Sequence, residues 1–189
     1  MTISSHVPAK ATDLKQHTFS HRHLIPLQPD VLWRIERGAV RTLTWNEEGV
    51  AITLGYWGQG DVIGQPLSRL DPYEIECLTI VEASRIPSGQ WDYALDAMRL
   101  HIQQTQELLN IVRMNPINQR LLKLLAWLSQ KFGREVDSGK LIDLPLTHQA
   151  IAEAIGTTRV SVTRLLNQFE REGIINRYRR HFIVLRSVS

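Results

Sequence analysis

The sequence predicts an α+β fold in which a small antiparallel β-roll leads, through one long helix, into a helix-turn-helix backed by a β-hairpin. Three observations carry that expectation. Residues 31 to 86 hold short apolar runs broken by glycine turns, a heptad repeat follows Ser88, and residues 147 to 172 give two amphipathic helices hinged at Gly156. At 189 residues the chain has room for a sizeable core or for two modest units.

The β-rich part reads as VLWRIE, AVRTLTW, VAITLGYW, DVIG and the longer YEIECLTIVEASRI. The breaks at Arg37-Gly38, Asn46 to Gly49 and Gly58 to Asp61 contain glycine, which admits the positive φ of tight hairpins. The first 25 residues or so show no clear period but hold four of the seven histidines. His21 and His23 are too few ligands in an irregular segment to predict a metal site, and no metal is expected. The single cysteine, Cys77, lies in the apolar run IECLTIV. It reads as buried, and alone it supports neither an internal disulfide nor a thiolate metal site.

From Trp91 a stripe runs Trp91, Leu95, Met98, Ile102, Thr105, Leu109 and Val112, with steps alternating between four and three. Heptad spacing keeps a narrow seam toward a partner helix, so this helix is expected to pair two copies of the chain. The alternative is one amphipathic helix on a monomeric core. Leu100, Leu108 and Ile111 form a second set, expected to pack on the roll. Asn115-Pro116 reads as a cap and a first helical position, a hinge before the helix INQRLLKLLAWLSQKFG, which stops at Gly133. A short strand, LIDL, then precedes Pro145. The chain thus divides into a roll (1–90), a dimerisation helix (91–114) and a C-terminal unit (115–189).

The segment LTHQAIAEAIGTTRVSVTRLLNQFEREGII carries the function. Thr147 caps the first helix, whose small apolar face lets the second cross closely, and Gly156 suits a left-handed connection. In the second helix Val162, Leu165, Leu166 and Phe169 face inward, leaving Arg159, Val160, Ser161 and Arg164 to read bases. An arginine matches guanine O6 and N7 bidentately, and apolar groups touch the thymine methyl. Thr147, His148, Gln149, Thr157 and Thr158, grouped around two helix N-termini with free N–H groups, are candidates for phosphate contacts, and Thr163, on the solvent margin of the second helix, is another. A hairpin follows, and its Arg177, Arg179, Arg180 and His181 make a basic wing for the backbone of double-stranded DNA. The bland reading is a two-helix packing motif with a solvated surface. The functional reading is favoured because basic residues, small turn residues and hydroxyls at the helix N-termini occur together. The charge balance is compatible with both: residues 113–189 hold 13 Lys/Arg against six Asp/Glu, whereas residues 1–112 hold nine against 13.

Catalysis is not expected, because GxSxG, a phosphate loop and a metal-spaced histidine pair on a helix are all lacking. No apolar run is long enough to cross a bilayer and no secretory signal opens the chain, so a cytoplasmic location without membrane contact is expected.

The order of these elements resembles the cyclic-AMP receptor protein/FNR family over roughly residues 31 to 186. HQAIAEAIGTTRVSVTRLL is similar to the reading head of the NtcA-type nitrogen-control regulators within it. The resemblance implies a cyclic-nucleotide-binding-like but shortened roll, a winged helix-turn-helix, and a transcription regulator, activator or repressor, that contacts RNA polymerase. It implies that Arg159, Ser161 and Arg164 meet DNA, with Val160 replacing the glutamate of the cyclic-AMP receptor branch, on palindromic GTA…TAC sites. The effector half departs from the family. GDVIGQPLSRLDPYEIEC lacks the Gly-Glu-Leu and Arg-Ser residues that hold a cyclic nucleotide. Where the NtcA type uses arginines for 2-oxoglutarate, this chain has Pro72 or Tyr73 and His101. Several cysteines would be needed for an FNR-type iron–sulfur cluster. The expectation is a degenerate or divergent pocket near Val62, Ile63, Gly64, His101 and Thr105, supporting neither anionic effector. The second reading is a small-molecule sensor module whose winged unit contacts protein rather than DNA.

Overall fold

The structure, a computed structural model, describes residues 14–178 and 181–185. Seven strands build the roll: β1 (Gln16–Phe19), β2 (Val31–Arg37), β3 (Val40–Trp45), β4 (Ala51–Trp57), β5 (Val62–Ile63), β6 (Glu74–Cys77) and β7 (Val81–Pro87). They form two antiparallel sheets, ordered β1-β7-β2-β5 and β4-β3-β6. Their β-branched and aromatic inner residues, among them Val31, Trp33, Ile35, Trp57, Ile75 and Val81, close on one another as a core. Cys77 is buried there. At Gly55 a Cβ would come within 2.2 Å of the Trp57 ring, so glycine is what lets the indole fold back over the strand.

Two expectations for the roll change. The segment without a period contains β1, which pairs Gln16 to Phe19 with β7; its outward residues are polar and only one side is half-buried, so apolar alternation never appears. The run YEIECLTIVEASRI is two strands in different sheets, parted at Leu78 to Ile80. The alternation of buried Ile75, Cys77, Val81 and Ala83 keeps its parity across the break, so period alone does not reveal where the chain crosses between sheets.

A 3₁₀ turn over Ser88–Ala94 then leads into α1 (Leu95–Val112) and α2 (Ile117–Phe132). Trp91 is therefore not a helical seam residue: it sits in the turn, packed with Met98 on the cluster of Leu32, Val62, Ile86 and Ala94. Pro116, not Asn115, occupies the cap of α2. As expected, α2 stops at Gly133, which caps it and opens β8 (Gly133–Val136), paired with β9 (Gly139–Ile142). After α3 (His148–Ile155) and α4 (Arg159–Arg171) come β10 (Ile175–Tyr178) and β11 (His181–Leu185), in a sheet ordered β10-β11-β9-β8.

One continuous core joins these parts. Leu121, Leu124, Leu125 and Leu128 of α2 pack with Ile151, Ile155, Leu166 and Phe169. Leu108 and Ile111 of α1, with Ala39, Tyr56 and Leu78 of the roll, belong to the same cluster. Leu108 and Ile111 thus contact more than the roll, and Leu100 remains exposed. A polar clasp lies beside this core. Arg41 of β3 pairs through Nε with Glu76 at 2.6 Å and through Nη1 with Glu153 of α3 at 2.7 Å.

Candidate nucleic-acid interface

Each of the two crossing helices starts on a threonine. Thr147 Oγ1 accepts the Ala150 N–H at 3.0 Å, and Thr158 Oγ1 accepts the Ser161 N–H at 3.1 Å. The caps leave the first N–H groups of both helices directed outward, with the positive end of each helix dipole. Gly156 joins the helices at φ 65, the left-handed region that an L side chain enters only with strain. Arg120 of α2 locks this turn. Its Nη1 donates to the Ile155 carbonyl at 2.6 Å and its Nε to Met114 at 3.0 Å, tying the α1–α2 hinge to the end of α3.

The buried face of α4 holds Val162, Leu165, Leu166 and Phe169. Arg159, Val160, Arg164 and Asn167 form an open face, with Val160 78% exposed. So large an exposed apolar side chain between two arginines suits a partner with methyl groups and acceptors side by side. Ser161 is half-buried, and its hydroxyl lies 3.0 Å from that of Thr158.

The phosphate candidates fall into two groups. Thr147 and Gln149 are exposed, although Gln149 also bonds Glu153, and Thr157 is half-buried in the turn. Thr163 points inward to the scaffold: its hydroxyl donates to the Arg159 carbonyl at 2.9 Å and lies 2.8 Å from Nδ1 of His148. The Thr163 proton being used, His148 Nδ1–H must donate, which fixes its tautomer. Partial burial and the nearby charges of Arg177 and Arg159 lower the His148 pKa, keeping the ring neutral. Arg177 straps the wing to α4 through Glu170 at 3.3 Å and Asn167. His181 lies 3.8 Å from Asp143. Arg179 and Arg180 lie outside the described residues.

On α1 the expected seam divides. Leu95, Ile102 and Leu109 are 60%, 59% and 58% exposed at strict heptad spacing, with Thr105 exposed between them, whereas Met98 and Val112 are half-buried against their own chain.

The expected effector pocket is a cavity of about 320 Å³ between the roll and α1. His101 and Thr105 line it, but Val62 and Ile63 are sealed in the roll and Gly64 packs on Val31 and Leu32. Trp57, Thr42, Leu54 and Leu67 line it instead, with Tyr73. The sequence reading missed them because a two-strand hairpin supplies the wall, and alternation alone does not say which inner residues border a void. Arg120 and the Arg41–Glu153 pair were missed for a similar reason: nothing local marks a partner 35 or 112 residues away.

Comparison with known proteins agrees with this geometry. The model of the Crp-like helix-turn-helix domain matches residues 119–188. The regulatory protein CysR of Synechococcus elongatus is 45% identical over 86% of this chain and 80% of its own. A global nitrogen regulator of Nostoc is 32% identical over 81% of this chain and 76% of its own. Among solved structures, a CRP-family transcriptional regulator from Thermus thermophilus has a TM-score of 0.78 at 22% identity, covering 89% of this chain and 91% of the other. A cyclic nucleotide-binding domain protein from Listeria monocytogenes has a TM-score of 0.79 at 14% identity, covering 93% and 91%. The fold is thus that of the CRP/FNR regulators, and among the described residues no helix is long and apolar enough to cross a membrane. With a capped, arginine-bearing α4 presented on this scaffold, the chain belongs to the Crp-like family of DNA-binding transcriptional regulators, which are not enzymes.

Proposed function

We propose that the protein works in the cytoplasm as a homodimer that reads palindromic DNA and communicates with RNA polymerase. In this reading residues 1–90 are a sensor-like roll, 91–114 the dimerisation helix and 115–189 the DNA-binding unit. The observation that carries it is the open face of α4, where Arg159, Val160 and Arg164 stand beside the half-buried Ser161. Thr147, His148, Gln149, Thr157 and Thr158 then meet phosphates from two helix N-termini, with Arg177 and His181 at the root of the wing. Thr163 acts by positioning His148. The exposed heptad of Leu95, Ile102 and Leu109 supports pairing through α1, which would set two α4 helices on successive major grooves. The relatives' names, a regulatory protein and global nitrogen regulators, support the same role.

The test is selection of bound sequences from random DNA, with and without 2-oxoglutarate and cyclic AMP, followed by gel shifts. A palindrome should emerge. Arg159→Ala and Arg164→Ala should each weaken binding to it by about 1–3 kcal/mol, a factor of about five to 150, without altering the melting temperature. Sequence-specific binding that survives the double substitution would refute the assignment of α4 as the reader.

A further inference from the structure

The cavity between the roll and α1 has an unusual balance of chemistry for a fold that elsewhere accommodates nucleotides. Its apolar wall is Trp57, Tyr73, Leu54, Leu67, Leu70 and Ile102, and among the described residues no Lys, Arg, Asp or Glu lines it. Of its polar groups, Ser68 Oγ accepts the Leu70 N–H at 3.2 Å, Gln106 lies at the exposed rim, and Thr42, Thr105 and His101 are engaged within the chain. Thr42 Oγ1 accepts from Trp57 Nε1 at 3.0 Å, Thr105 Oγ1 donates to the His101 carbonyl at 2.8 Å, and His101 Nδ1 donates to the Val62 carbonyl at 3.0 Å. Burial lowers the His101 pKa, so this ring is neutral as well. An ionised phosphate or carboxylate entering here would lose its water without gaining a counterion. Cyclic AMP and 2-oxoglutarate do not fit these residues.

We propose that this cavity binds a small, uncharged, largely apolar ring compound held against Trp57. Its volume of about 320 Å³ is at the small end of ligand pockets and suits one fused ring system. Such a ligand would be felt at a distance. The Trp57 ring stacks on His101 of α1 with centroids 3.8 Å apart and planes 5° from parallel. Lys131 of α2 lies over the same indole at 5.1 Å and pairs with Asp61 at 2.8 Å. One cavity wall is therefore joined to both helices that lead to the reading head. The proposal rests on the reading of the chain as a dimeric DNA-binding regulator only for this readout.

The probe is N-phenyl-1-naphthylamine, an uncharged apolar fluorophore, titrated into the full-length protein. Its emission should rise saturably with one site per protomer, compete with indole, and be unaffected by cyclic AMP or 2-oxoglutarate. Leu70→Arg, at the exposed rim, should weaken binding by about tenfold or more while leaving the melting curve unchanged, and Ser68→Arg, half-buried beside it, should weaken binding likewise. Displacement by either anion, or binding indifferent to both substitutions, would overturn the proposal. So would binding that appears only when the chain is made monomeric, since the partner's α1 would then be the occupant. A gel shift run in parallel separates the two readings. Probe binding without DNA binding sinks the proposed function and leaves the ligand class standing, and DNA binding without a probe site does the reverse.

Discussion

Replacing Arg41 by methionine tests whether the clasp between roll and winged unit is structural. The Arg41, Glu76 and Glu153 side chains are 14%, 22% and 11% exposed, and the two contacts are 2.6 and 2.7 Å. Methionine preserves most of the apolar stem but strands two carboxylates in a poorly hydrated cleft. Removing one partner of a buried pair typically destabilises by about 3–5 kcal/mol. Residual exposure of all three groups lets water reach the carboxylates, which puts the expected loss near the lower bound, about 3 kcal/mol. In a chain of this size each kcal/mol lowers the melting temperature by about 2–4 °C, so Arg41→Met should melt about 6–12 °C earlier. Urea unfolding followed by far-ultraviolet circular dichroism measures the loss, and amide exchange should show α3 losing protection first. Adding Glu153→Gln to Arg41→Met should recover part of it, because the stranded charge is then gone. A loss below about 1 kcal/mol would refute the reasoning, since that is the range of a solvated surface pair.

Other outcomes follow from the same geometry. Arg120→Met removes the donors on the Ile155 and Met114 carbonyls and should lower stability by about 1–3 kcal/mol, with a larger fractional loss of DNA affinity than a distant core substitution of equal cost; equal losses would argue against a role in holding the turn. The folded-state pKa values of His101 and His148 are both lowered, so the unfolded chain takes up protons more readily and stability should fall as pH drops below about 6.5, the ordinary histidine value. The slope of urea midpoint against pH should flatten in His101→Gln and His148→Gln, and a slope unchanged in both would sink the assignment. Ile102→Glu with Leu109→Glu places like charges on the exposed seam and should convert the protein to monomers in sedimentation; a dimer that persists would move the interface elsewhere. DNA affinity should fall linearly on a log–log salt plot, with a shallower slope in Arg177→Ala because that side chain meets a phosphate; an unchanged slope would remove Arg177 from the phosphate contacts and leave it a strap on α4.

The reading head was legible from residue order because its determinants are local. Thr147 and Thr158 cap within three residues, Gly156 sets one turn, and the inward face of α4 repeats at helical spacing. The exposed stripe of Leu95, Ile102 and Leu109 was legible for the same reason, whereas Trp91, Met98 and Val112, which share its spacing, pack on their own chain. Heptad spacing continues from Leu95 back through Trp91, and nothing in that pattern distinguishes a 3₁₀ turn packed on the roll from another helical turn. Strand β1 was hidden because an edge strand of Gln, His and Thr has little apolar alternation to display.

By itself, then, the sequence determined the order of roll, long helix and helix-turn-helix, together with the arginines presented by α4, since hydrophobic period, caps and glycine turns act between near neighbours. Only the tertiary structure decided the pairings across the chain: Arg41 with Glu153, Arg120 with Ile155, Lys131 over Trp57. It also decided the chemistry of the cavity, emptied of charge by residues from β3, β4, the segment 67–73 and α1. Such partners are chosen by packing, which brings together whatever side chains the folded surfaces happen to oppose, and no local pattern records that choice.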